Sequence, residues 1–272
     1  MIGTSVFVGL ALYIVVGILL PVGATCVYKI KTKESLKPVF VGALIFFVFA
    51  IILESIPKYF LLLPNNPLGT WISGNTLVYM IVVALLAGIF EETGRLVGFK
   101  FLLKKFLDKK TAIGYGIGHG GFEVLYILVL GGINNIVYAF LINTNQFDAV
   151  ISEAAAKAPE QAATLMAIPE SLAAITFGTI LMGILERVSA MLIHISCSII
   201  MFKAVREAGK MWLFPIAILL HASIDMIAAM YQCGLISNIY IIEAILVIWS
   251  VALILVTYNV VYKKMGSVSE KQ

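Results

Sequence analysis

Phe90-Glu91-Glu92-Thr93-Gly94-Arg95 closes an apolar run that begins near Trp71, and two adjacent carboxylates and an arginine at that point decide how the chain is read. An ionisable group at bilayer depth costs roughly 2.5 to 3.5 kcal/mol even on the lenient insertion scale, so such residues are functional candidates by default. What gathers around them is the question the remaining sequence answers.

The class follows from composition. Of the 272 residues 61% are hydrophobic and only 12% charged, with a mean hydropathy of +1.03. These values lie far outside the soluble globular range. They predict an all-α, polytopic transmembrane bundle forming one domain over 1–272, with a core of catalytic type at about 74–231. The net charge of +4 is small and its lysines sit in loops rather than along a groove, which argues against nucleic-acid binding. Cys26, Cys197 and Cys233 are widely spaced and form no CxxC pair, so they read as helix-packing residues rather than disulfides or zinc thiolates. The first apolar run lacks a small-residue cleavage site and reads as a retained helix.

Working outward from Glu91-Glu92, hydropathy and basic loops predict seven spans, at about 5–28, 38–56, 74–98, 112–142, 184–203, 211–231 and 238–262. Basic residues follow the first, third, fifth and seventh spans, beginning at Lys29, Lys100, Lys203 and Lys263, and these segments hold 15 of the 19 Lys and Arg. The positive-inside rule then places the N-terminus outside and the C-terminal tail in the cytoplasm. The region 170–202 is long for one perpendicular crossing, so its first part is expected to be interfacial or tilted. The more polar stretch from Asn143 to Pro169, with Asp148, Glu153, Lys157 and Glu160, is expected to be an outer loop with a short helix, or a lid.

Counting helical rise from the nearest inner lysine places Glu91 and Glu92 at ~12 to 14 Å, His119 and His194 at ~13 to 14 Å, and His221 at ~16 to 17 Å. All three histidines of the chain therefore share a layer with the paired glutamates. Glu54, Glu186 and Glu243 fall at ~25 Å or more, near the outer interface, where a solvated structural role suffices. Arg187 is expected to pair with Glu186 or another nearby acid.

Within the layer, helical spacing lets Arg95 reach Glu92 at i−3 or Glu91 at i−4, holding one carboxylate ionised and leaving the other to accept a proton. His119 and Glu123 form an i,i+4 pair, as do His221 and Asp225, and such a carboxylate can fix an imidazole tautomer or serve as a ligand. Glycines at 114, 116, 118, 120 and 121 surround His119 and point to close helix approach or room for a substrate backbone. A lone buried histidine is ordinarily a packing residue; several polar groups at one depth on several helices are not.

Glu91-Glu92-Thr93-Gly94-Arg95, His119-Gly120-Gly121-Phe122-Glu123, Glu186-Arg187 followed by His194, and His221-Ala222-Ser223-Ile224-Asp225 together resemble the YhfC family of intramembrane metalloproteases, grouped with the CAAX prenyl proteases, bacteriocin-processing enzymes and PrsW-type proteases. The resemblance covers about 74–231. It implies that the Glu91/Glu92 pair activates water, with the histidines and Asp225 polarising the substrate carbonyl or holding a metal. The CAAX enzymes carry Glu-Glu-x-x-x-Arg, one residue longer than here, and end in His-x-x-x-Asn rather than His221-x-x-x-Asp225, so their substrate specificity does not carry over.

The expectation is an intramembrane peptidase of a bacterial cytoplasmic membrane, cutting a membrane-associated protein or peptide at or just inside the inner leaflet. Its site residues are Glu91, Glu92, Arg95, His119, Glu123, His194, His221 and Asp225. Zinc is an open question, with His119, His194 and His221 as three nitrogen ligands and a free fourth position. The alternative is a proton-coupled or metal-ion transporter, because buried His and Glu also build ion relays.

Overall fold

The computed structural model describes residues 1–157 and 159–266. The side chain of Glu160 and the tail beyond Gly266, for which a loop acid and a cytoplasmic segment are expected, lie outside the described residues. The described residues are all helical in their regular structure, and seven of their helices are long and apolar enough to cross a membrane. In chain order these are α1 (Thr4–Thr32), α2 (Lys37–Leu61), α3 (Thr76–Leu102), α4 (Lys110–Asn143), α5 (Phe177–Arg206), α6 (Leu213–Gln232) and α7 (Ile239–Tyr262). The chain is an integral membrane protein.

Local chemistry sets the starts of several elements. Asn75 caps α3 by accepting from Val78 N at 3.2 Å, and Asn238 caps α7 through Tyr240 N at 2.9 Å. Between α2 and α3, Asn66 accepts from Gly69 N at 2.9 Å and Pro67 opens a short helix, Pro67–Ser73.

Two departures from the sequence expectation concern the fifth span and the stretch that precedes it. It is one continuous helix of 30 residues, Phe177–Arg206, rather than a crossing confined to 184–203. No proline interrupts it after Phe177, and at 1.5 Å per residue it is roughly 45 Å long. Glu186-Arg187 lowers its hydropathy midway without breaking the helix, because both side chains are paired. The stretch after Asn143 holds three short helices, Phe147–Lys157, Pro159–Met166 and Ile168–Ala173.

The chain forms two compact units, one of Met1–Leu20 with Val124–Ile184 and a second of Pro21–Glu123 with the chain from Leu185 onward. In the first, Ile2, Val6, Leu10, Ala139 and Leu172 make an apolar core. Asn143 ties down the chain start by accepting from Ile2 N at 2.6 Å and donating to Ile2 O at 3.0 Å.

The second unit carries every ionisable residue of the predicted layer. Its α3 and α6 pack along their length. Its basic segments meet at one end: Lys110 Nζ lies 3.1 Å from Glu34 Oε1, Lys109 Nζ donates to Tyr262 O and Met265 O at 3.2 Å each, and Arg206 Nη2 donates to Leu103 O at 2.6 Å. The turns 62–75 and 233–238 stand at the opposite ends of α2, α3, α6 and α7.

Glycine brings backbones together where α2 meets α4. A Cβ on Gly118 would lie 1.8 Å from Val39 O, and one on Gly42 2.2 Å from Tyr115 O. Neither distance is possible for a real methyl group, so His119 reaches the centre of the unit only because Gly118 has no side chain.

Candidate active site

Glu92 and Arg95 are fully buried and meet at 2.5 Å, one helical turn apart on α3. Burying an ion pair away from water is tolerable only when the remaining polar positions find partners. Arg95 Nη2 finds His194 Nδ1 on α5 at 3.0 Å, and Glu92 Oε1 takes a second contact from His221 Nδ1 on α6 at 2.8 Å. Of the two carboxylates, Glu92 is thus the one consumed by the arginine.

Glu91 faces the imidazoles. Its Oε2 lies 2.9 Å from His119 Nε2, 3.6 Å from His221 Nε2 and 3.8 Å from His194 Nδ1. The rings are in contact with one another, His119 to His194 at 4.9 Å and His194 to His221 at 5.5 Å between centroids. Phe46 stands edge-on to His119 at 5.1 Å and Tyr115 stacks on it at 5.8 Å, which fixes the ring.

Glu123 does not pair with His119 on its own helix, as the i,i+4 spacing suggests. It crosses to α5, where Oε2 meets His194 Nε2 and Oε1 meets Arg187 Nη1, while Arg187 Nη2 holds Glu186. A hydrogen-bonded chain therefore runs Glu186, Arg187, Glu123, His194, Arg95, Glu92, His221. The spacing does hold for His221 and Asp225, whose Nε2 and Oδ2 are 3.5 Å apart. Farther along the helices Glu54 pairs with Lys58 at 2.6 Å, and Glu243 Oε2 is buried without a hydrogen-bond partner among the described residues.

Tautomers follow from who can donate. A guanidinium has donors only, so His194 Nδ1 accepts from Arg95 and its proton sits on Nε2, facing Glu123. Glu92 accepts from His221 Nδ1, so in a neutral His221 the lone pair falls on Nε2, facing Glu91 and Asp225. His119 Nε2 donates to Glu91, and its Nδ1 has no partner among the described residues.

Among the described residues two groups of donor atoms converge within 4.8 Å: Glu91 with His194 and His221, and Glu92 with Cys197 and His221. His119, one of the three expected nitrogen ligands, stands in neither. The first group suits a divalent cation on three grounds. Ligands on a tetrahedral zinc stand about 3.4 Å apart, close to the 3.6 and 3.8 Å found from Glu91. His221 has the carboxylate-bonded, metal-ready tautomer. Five carboxylates, those of Glu91, Glu92, Glu123, Glu186 and Asp225, face two guanidinium groups, so the cluster has room for further positive charge. The second group suits it less, because Glu92 already holds Arg95, whose charge repels a cation.

One residue of this constellation, Cys197, is read from the sequence only as a packing residue. Cys197 lies three positions after His194 and shares its helix face. Arg187 lies two turns before His194; it pairs with Glu186 as expected and also with Glu123, which crosses between helices.

The family model described as "YhfC intramembrane metalloprotease" matches residues 16–246. The chain belongs to that family. It is 35% identical over 245 residues to the "Uncharacterized membrane protein YhfC" of Bacillus subtilis (strain 168), an alignment covering 90% of this chain and 92% of that protein. No solved structure matches the chain. The family match extends over the Glu91-Glu92, His119, His194, His221 and Asp225 segments alike.

Proposed function

We propose that the chain is an intramembrane peptidase in which Glu91 is the general base and Glu92 a structural carboxylate. The family description names a metalloprotease. The observation that carries the assignment is the division of labour between the two glutamates: Glu92 is fully buried between Arg95 and His221, whereas Glu91 faces three imidazoles and keeps its side chain 10% exposed.

Hydrolysis follows from that arrangement. A water beside Glu91 gives a proton to the carboxylate as its oxygen bonds to the scissile carbonyl carbon. Glu91 then returns the proton to the amide nitrogen as the carbon–nitrogen bond breaks, leaving a carboxylic acid and an amine. His119 Nε2–H orients Glu91 by donating to Oε2, so the second oxygen is the one that handles the proton. Arg95 and Glu123 together hold His194 in one tautomer.

Glu91, His221 and His194 would hold a divalent ion, His194 by turning its Nδ1 from Arg95. When bound, such an ion supplies Lewis acidity that polarises a carbonyl and eases ionisation of water. The substrate class is a membrane-associated protein or peptide, because the site lies within the span of the helices.

The test is cleavage of membrane-spanning peptides by the protein reconstituted in lipid vesicles, read by mass spectrometry. Glu91→Gln, confirmed as folded by its elution in detergent, lowers cleavage by about 10²- to 10⁴-fold on this reading. Undiminished cleavage by that variant overturns it.

A further inference from the structure

The polar cluster is sealed at one end and open at the other. Toward the basic loops the next turn of each helix is apolar and closed: Phe99, Leu103, Tyr115, Ile199, Met201 and Phe202 are all at most 2% exposed. All six belong with Ala217, one turn before His221, to a single packed core that continues to Met265.

Toward the other end the residues stay polar and open progressively. Asp225 lies one turn beyond His221 on α6, toward the 233–238 turn, and its side chain is 35% exposed. Glu186 lies about two turns from His194 in the same direction and is 33% exposed. Lys58, paired with Glu54, follows on α2 with 39% exposure. Glu243 stands four residues into α7 from the same end. A carboxylate a third exposed within a membrane span faces water rather than lipid, because facing hydrocarbon carries the cost of an unpaired charge. Asp225 Oδ2 and Glu243 Oε2 are buried with no hydrogen-bond partner among the described residues. They are waiting acceptors along this column.

We infer that water and substrate reach the site from the end of the bundle opposite the lysine-rich loops, through a cleft lined by Asp225, Glu186 and the Glu54–Lys58 pair. By the positive-inside rule that end is extracytoplasmic. The substrate is therefore a segment of a membrane protein or peptide that faces the outer side, not the cytoplasmic leaflet suggested by depth along the helices. The statement about substrate rests on the peptidase reading; the statement about access does not.

Cysteine labelling separates the two. With the exposed Cys26 and half-buried Cys233 replaced by serine and the buried Cys197 kept as the background control, one cysteine at a time is added as Asp225→Cys and Glu186→Cys, with Asn65→Cys marking the α2–α3 turn and Lys105→Cys the basic end. A membrane-impermeant maleimide is applied to intact cells and to inverted vesicles, and each protein is checked for intact folding by size exclusion in detergent. The expected result is labelling of Asp225→Cys and Glu186→Cys from the side that labels Asn65→Cys. Labelling from the side of Lys105→Cys, or from neither side while both markers react, overturns the inference. Because labelling reads access alone, absence of peptidase activity leaves its outcome intact.

Discussion

Arg95 Nη2 lies 3.0 Å from Nδ1 of His194, ninety-nine residues away in the sequence, and both side chains are buried. This contact sets the protonation pattern of the whole cluster. The guanidinium can only donate, so the imidazole proton is forced onto Nε2 and towards Glu123. The same guanidinium neutralises Glu92. One arginine therefore decides which glutamate is spent and which is free.

Removing it has a defined cost. Arg95→Gln leaves Glu92 buried without its cation, and breaking a buried pair in this way costs about 3 to 5 kcal/mol. The expected outcome is a lowered unfolding midpoint in detergent, followed by fluorescence. Arg95→Lys keeps the charge but offers no planar fork to bridge Glu92 and His194, and is expected to recover only part of the loss.

The two glutamates are expected to fail differently. Glu91→Gln keeps the fold and lowers cleavage by about 10²- to 10⁴-fold, the range for loss of a general base. Glu92→Gln weakens the Arg95 and His221 contacts at once, so its defect appears first in thermal stability. Parallel melting curves and turnover measurements distinguish these outcomes.

On the proposed peptidase reading, Arg187 and Glu123 act through His194, which Glu123 contacts directly, rather than on the substrate. Glu123→Gln and Arg187→Lys are each expected to reduce turnover by about 10- to 100-fold, as loss of an orienting partner does. A double-mutant cycle between Glu123 and Arg187 is expected to give a coupling of about 0.5 to 3 kcal/mol in stability, because the two share a direct contact. Additive effects would place Arg187 outside the network.

The helices themselves were legible in the sequence because twenty-odd apolar residues between basic loops admit few other readings, and the layer was legible because rise per residue converts sequence position into depth. Partner choice inside the layer was not. His119 and Glu123 share a helix face, yet each bonds a residue on another helix. Spacing along one helix says which side chains can meet, but the glycine-lined approach of α4 to α2 and α5 brings foreign side chains equally near. The extent of α5 was obscured for a different reason, since an apolar region longer than one perpendicular crossing reads as an interfacial segment followed by a shorter span.

That close approach makes its own prediction. Gly118→Ala would put a methyl group 1.8 Å from Val39 O, so the helices must separate. Overpacking of this kind typically costs 1 to 3 kcal/mol or more. Gly23→Ala, where nothing lies within 4 Å, is expected to gain about 1 kcal/mol from helix propensity instead. Detergent melting of the two single variants reads the contrast.

Metal binding is the sharpest discriminator among the histidines. A three-histidine site makes His119, His194 and His221 equivalent, whereas the geometry ranks them. His221 Nε2 carries a free lone pair 3.6 Å from Glu91. His194 Nδ1 must first leave Arg95, and His119 Nε2 is a donor to Glu91 and lies outside both convergent groups. Zinc content of the purified protein, measured by mass spectrometry after dialysis against a fixed free-zinc buffer, should fall to background in His221→Ala and in Glu91→Gln. It should be reduced in His194→Ala and retained in His119→Ala. A weakened hold on Glu91 would still slow cleavage in His119→Ala, so that variant should keep its metal while losing activity. Equal loss of zinc from all three histidine variants would restore the three-nitrogen site and require His119 to turn away from Glu91 when the ion binds.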